Sequence, residues 1–198
     1  MNGQPVPVAK GRNPLPRIVL LNGSPSTRSS TEALLIHVAD DLRMHGYDTT
    51  LLNLRSLPAE ALLLARTDQP QLSAALTEVQ AADALVVGTP VYQASYSGLL
   101  KTFCDVLPVG VLRGVPVLPL LTGGSDGHIL ALDHGLKPLL STLGATSIAA
   151  GRFINSAHIS AGAGVISPGA AAEVSGATAG FLTELDRHLT APVRVPVG

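Results

Sequence analysis

Residues 17–31 read RIVLLNGSPSTRSST, and this stretch decides the fold class. Arg17–Asn22 is a short apolar run without polar alternation, the pattern of a strand covered on both faces, and it ends at Gly23. Over residues 29–45, Ala33, Leu34, Ile36, Val38, Leu42 and Met44 are interspersed with polar residues. That spacing predicts a helix, with Gly46 as its stop. A buried strand that passes through a small polar loop into a helix is the opening unit of a parallel α/β sheet.

The alternation continues outward. A second strand is expected over 49–54, an irregular apolar stretch over 57–64 (a short helix or a loop), a helix over 71–81 and a third strand over 84–88. A helix over 96–106, closed by Pro108, leads to a fourth strand over 115–121. Pro116 and Pro119 are awkward inside that strand, because proline cannot donate to a ladder. Residues 128–143 read as a helix with Pro138 inside it, where a kink or local irregularity is expected. A fifth strand follows over 147–150, a Gly-rich mobile loop over 155–169 and a closing helix over 170–189. The expected fold is a three-layer α/β sandwich: a five-stranded parallel sheet, right-handed crossovers and helices on both faces. It forms one domain over 17–190, with an N-terminal tail at 1–16 and a C-terminal tail at 191–198. In such sheets, ligands bind outside the carboxyl ends of the strands.

Composition narrows the function. A chain of 198 residues, 46% hydrophobic and 14% charged, has the size and make-up of one good core. Its net charge of -1 gives no broad electrostatic attraction to nucleic acid or anionic membrane, and 3% aromatic content without tryptophan leaves few platforms for stacking bases. Cys104 is the only cysteine, so neither an intramolecular disulfide nor a cysteine-rich metal site can form, and a reducing cytoplasm is the natural setting. Its spacing with Leu100 and Leu107 makes it a buried core thiol. The six histidines are scattered without ligand spacing, so no metal is expected. The opening segment has Pro5, Pro7, Pro14 and Pro16 but no apolar stretch, unlike a signal peptide. No apolar run reaches the roughly 18 residues of a membrane span, so a soluble cytoplasmic protein is expected.

Three loops at the expected strand ends carry the chemistry. In the first, residues 23–31, hydroxyls and the Arg28 guanidinium surround a helix start, where free N–H groups converge. No Gly-Lys-Ser/Thr follows, which favours a monophosphate over a nucleoside triphosphate; the plainer reading has Ser and Thr capping the helix. The second, residues 89–98, places Pro90 and the flat ring of Tyr92 at the sheet edge, where they hold a planar ligand or simply pack. The third, residues 122–128 (TGGSDGH), lets backbone amides approach a ligand or forms a plain turn. Its GGSDG also matches the Gly-x-Ser-x-Gly nucleophile elbow. With Asp133 and either His134 or His158 following in a permissible order, a serine hydrolase centred on Ser125 is a rival reading.

The stretches GSPSTRSST, GTPVYQASYSGLLKTFCDVLP and LLTGGSDGHILALDHGLKPLLSTLGA, with ALLLARTDQPQL between the first two, resemble the NADPH-dependent FMN reductase family. They are most similar to the flavin reductases that serve alkanesulfonate monooxygenases, and the resemblance spans about residues 17–151. It implies a flavodoxin-like fold, with FMN phosphate contacts from Ser24, Arg28, Ser29 and Thr31. It also implies ring contacts from Pro90, Val91, Tyr92, Thr122, Gly123 and Gly124. By the same resemblance the activity is NAD(P)H-dependent reduction of FMN, with NADPH or NADH as hydride donor and a flavin-dependent monooxygenase as recipient. Homodimers or homotetramers are implied, with the helix matching LALDHGLKPLL at a subunit interface; many relatives carry tyrosine where His134 stands. No side chain is expected to act as acid or base, because the cofactor carries the hydride chemistry. An FMN-bound quinone or azo reductase, an electron carrier that never meets a nicotinamide and a flavin sensor are the alternative functions.

Overall fold

In the computed structural model, which describes residues 15–190, β1 (Arg17–Asn22) is buried along nearly its whole length. Ile18 and Leu20 enter one apolar cluster and Val19 and Leu21 another, because successive strand side chains alternate. In chain order there follow α1 (Ser30–Met44), β2 (Asp48–Asn53), α2 (Ala59–Leu63), α3 (Pro70–Gln80), β3 (Ala84–Tyr92), β4 (Ser95–Tyr96) and α4 (Gly98–Asp105). The second half comprises β5 (Val117–Gly123), α5 (Lys137–Thr142), β6 (Arg152–Asn155), β7 (Ile159–Ser160), β8 (Val165–Ile166) and α6 (Pro168–Thr190). The expected tails, 1–16 and 191–198, fall outside the described residues except for Leu15 and Pro16.

Five strands pair in parallel in the order β2-β1-β3-β5-β6, while β4 folds back antiparallel on β3. Among the parallel strands this is the 2-1-3-4-5 order of flavodoxin-like sheets, with the topological switch beside β1 and β3. α1 and α6 cover one face through Leu34, Val38, Leu42, Val174 and Phe181. The other face is covered by α2 to α5, through residues that include Leu62, Leu72, Val79, Leu100, Phe103 and Leu140. The sequence expectation of a parallel five-stranded sheet between two helical layers therefore holds. None of the described helices is long and apolar enough to cross a membrane.

Four local expectations are corrected. The fifth parallel strand is Arg152–Asn155, while residues 147–150 make only the isolated bridge Val117↔Ile148. Pro119 is the cause. The Val117 N–H donates to the Ser147 carbonyl (2.9 Å), and the Ala149 N–H donates to the Val117 carbonyl (2.8 Å). Pro119, two residues on, faces the same side and has no N–H to continue the ladder. Gly151, at φ +67°, carries the chain past this point, and pairing resumes at Leu120↔Arg152.

The second loop is mostly strand. β3 continues through Val91 and Tyr92, and Gln93 and Ala94 turn the chain at φ +47° and +60°. Positive φ at both central residues is the type I′ pattern, unsignalled here because neither residue is Gly, Asn or Asp. The expected helix over 128–143 is instead a 3₁₀ turn (Asp126–Ile129), a π-helical turn (Leu132–Leu136) and then α5. Pro138 stands in the first turn of α5, where its missing N–H disrupts least. Lastly, 155–169 contains the β7–β8 hairpin, pinned by buried Ile159.

Candidate functional site

The loop after β1 is held by its own polar groups. Asn22, fully buried, donates from Nδ2 to Asn53 Oδ1 (2.6 Å) and accepts from the Ser24 N–H at Oδ1 (3.1 Å). Ser24 Oγ accepts from the Ser26 N–H (3.2 Å), and Ser26 Oγ accepts from the Arg28 N–H (3.2 Å). These short-range bonds wrap the chain around the start of α1. Ser29 caps that helix, its Oγ accepting from the Glu32 N–H (3.0 Å). The N–H groups of Ser29, Ser30 and Thr31 find no partner among the described residues. A cluster of unpartnered N–H groups at the positive end of a 15-residue helix favours an anion.

The other two loops are locked to the first. The Gly23 N–H donates to the Gly88 carbonyl (2.8 Å), and Ser97 Oγ donates to the Gly23 carbonyl (2.5 Å). A Cβ at Gly23 would lie 3.0 Å from Leu100 Cβ and 3.2 Å from the Gly88 carbonyl, so a side chain there would push α4 or β3 back by a few tenths of an ångström. Across the sheet end, the buried hydroxyls of Thr31 and Thr122 share a hydrogen bond of 2.6 Å. Gly123 is closed in by His128 and Phe153, whereas the space where Gly124 would carry a Cβ is open.

These contacts gather Ser24, Arg28, Ser29, Thr31, Pro90, Val91, Tyr92, Thr122, Gly123 and Gly124 around one cleft of about 260 Å³. All ten residues singled out from the sequence line it. Ser26, Ser30 and Ser156 line it too. Ser26 and Ser30 belong to the hydroxyl-rich loop already quoted. Ser156 arrives through the Gly123↔Asn155 register, a long-range pairing without a local signal. Arg28 is exposed and, among the described residues, is the only charged side chain lining the cleft. Tyr92 lines the cleft and is 47% exposed. The cleft can thus hold an anion at its α1 end and a flat, partly polar group against Pro90–Tyr92 and the paired glycines.

The hydrolase reading does not survive this geometry. Ser125 sits in extended backbone (φ -143°, ψ 135°), not in a strained elbow, and its hydroxyl has no partner among the described residues. Asp133 is committed to Lys137 at 2.6 Å, and that lysine holds its carboxyl below the ordinary carboxylate range. Replacing Ser125 with alanine is expected to leave nicotinamide-dependent flavin turnover within about twofold of wild type, as for a surface substitution touching no buried group. A steady-state assay checks this, and a collapse of turnover would return the serine to the chemistry. Cys104 is buried as expected, and burial pushes its thiol up to about 12, which makes it a poor nucleophile. No three His, Cys, Asp or Glu side chains converge as a metal site among the described residues.

Comparison with known proteins agrees with this geometry. The family profile of NADPH-dependent FMN reductase matches residues 16–158. The FMN reductase (NADPH) of Escherichia coli (strain K12) is 43% identical over 143 residues, which is 72% of this chain and 75% of that protein. The NADH-dependent FMN reductase SfnF of Pseudomonas putida is 36% identical over 141 residues, 69% of this chain and 76% of its own. Among solved structures, the apo form of the NADH:FMN oxidoreductase EMOB superposes with a TM-score of 0.73 at 33% identity, covering 90% of this chain and 91% of that one.

Proposed function

The chain belongs to the NADPH-dependent FMN reductase family, and from that premise we propose that it binds FMN in the cleft beside α1 and reduces it with NAD(P)H. The observation that carries this reading is the junction, in one cavity, of an unpartnered helix start with Pro90, Val91 and the half-exposed Tyr92. The three free N–H groups, the serine and threonine hydroxyls and the Arg28 guanidinium suit a phosphate monoester. Pro90, Val91 and Tyr92 offer a wall for a planar ring. At Gly123 and Gly124 the backbone can lie close to the ring edge, where fixed N–H dipoles favour developing negative charge. Bound flavin would supply the hydride-accepting chemistry, and the protein would contribute position and field.

Two finer readings extend it. A flavin-dependent monooxygenase, such as a sulfonate-desulfonating one, is the recipient we propose for reduced FMN, in the reducing cytoplasm that a lone buried cysteine suits. A homodimer or homotetramer is proposed as the working unit, because Tyr92, Ile129 and Leu130 are exposed apolar residues in or beside the ligand loops.

Anaerobic stopped-flow absorbance in the oxidised-flavin band tests the activity. Protein and FMN are mixed with NADPH, and separately with NADH. Rapid protein-dependent bleaching is the expected result. FMN binding without bleaching by either nicotinamide would leave a carrier or sensor and overturn the reductase.

A further inference from the structure

The start of α1 carries an acidic residue where an anion is to bind. Ser29-Ser30-Thr31-Glu32 has the Ser-x-x-Glu sequence of a capping box, in which the glutamate reaches back to the N–H of the capping serine. Only half of that box forms. Ser29 Oγ accepts from the Glu32 N–H (3.0 Å), while the Glu32 carboxylate turns away and receives both Nη groups of Arg55, at 2.9 and 3.2 Å. The pair is largely shielded, with side-chain exposures of 26% for Arg55 and 18% for Glu32. Neither residue lines the cleft. Arg55 also stands behind the loop itself: its Nη1 is 3.5 Å from Asn53 Oδ1, the atom that receives Asn22 Nδ2, and Asn22 in turn holds the Ser24 N–H.

We propose that Arg55 is a positioning residue for the anion end of the cleft: by holding Glu32 sideways it keeps the Ser29 N–H free for the ligand's phosphate. Without it, the carboxylate can swing back, complete the capping box and occupy with its own negative charge the place the phosphate needs. A forked two-bond clamp suits this task because it fixes the direction of the carboxylate as well as neutralising it. The inference rests on the proposed binding of FMN in this cleft and deepens it: selection between FMN and uncharged riboflavin is set partly by a residue that touches neither.

The test is equilibrium titration of FMN and of riboflavin into wild type, Arg55→Gln, Glu32→Ala and the double variant. Arg55→Gln is expected to weaken FMN about tenfold and riboflavin by less than about twofold, since only the phosphate meets the released charge. The double variant is expected to recover most of that loss, because the competing carboxylate is gone. A role in fold maintenance alone would weaken both flavins together, and Glu32→Ala would not rescue it; either result overturns the proposal. Should Arg55→Gln fail to fold, Glu32→Ala alone decides. It is expected to tighten FMN about threefold, leaving an unopposed cation near the site, and no gain for FMN over riboflavin would overturn the proposal. Wild-type protein that binds FMN no better than riboflavin would instead count against the phosphate site itself.

Discussion

Replacing Arg28 with alanine is expected to weaken FMN binding about thirtyfold and riboflavin binding by less than about twofold, the loss typical of one or two charge-assisted hydrogen bonds. The selectivity follows from the cleft's electrostatics. Among the described residues Arg28 is the only charged side chain lining it, and it makes no ion pair there that would have to be broken first. It is exposed, so its removal leaves no buried group unsatisfied and the fold should be indifferent. Parallel fluorescence titrations with the two flavins make the comparison, because they differ only in the phosphate. Equal losses for both would place the phosphate elsewhere and remove the loop after β1 from recognition.

Replacing Gly151 with alanine is expected to lower stability by about 3 kcal/mol or more, through backbone strain and overpacking together. Gly151 holds φ +67°, which a residue with a Cβ rarely adopts, and that Cβ would lie 2.6 Å from the Pro119 carbonyl and 2.9 Å from its ring. Neither neighbour is the far end of a flexible side chain, so relief has to come from moving β5 or β6. Urea denaturation followed by circular dichroism reads the loss directly. Flavin affinity should fall with it, since β6 brings Ser156 to the cleft and orders the third loop through Asn155 Nδ2, which donates to Asp126 Oδ1 at 2.8 Å. An unchanged midpoint would mean that the edge strand detaches from β5 at little cost.

The same position marks where sequence stops being legible. β1, α1 and the strand–helix alternation that implies a parallel sheet are read from local patterns: an unbroken apolar run, an amphipathic run and the stop at Gly46, whose φ is +85°. Displacement of the fifth strand to Arg152–Asn155 depends on which neighbour Pro119 faces, and that is known only once strands are paired. The Gln93–Ala94 turn escapes notice because it uses residues that do not ordinarily prefer positive φ. Pro138 signals a kink or local irregularity in its segment, but not that it takes the form of a π-helical turn over Leu132–Leu136. The cleft was more legible than these details. The ten expected residues come from three strand ends, and parallel topology delivers such ends to one edge whatever the exact boundaries. Ser156 and Arg55 were not legible, since each is brought to its place by a partner more than twenty residues away.

The hydroxyls of Thr31 and Thr122 bear on how the cleft can vary. Each has a single hydrogen, and a 2.6 Å contact accommodates only one of the two between the oxygens. The second hydrogen must point elsewhere, and reversing the donor at one threonine reverses the spare donor at the other. The start of α1 and the end of β5 are therefore tied by proton parity as well as by distance. Valine at either position alone would strand the partner's oxygen beside a methyl group, whereas valine at both could restore a matched apolar contact. Two loops 91 residues apart in the chain are thus constrained to change together.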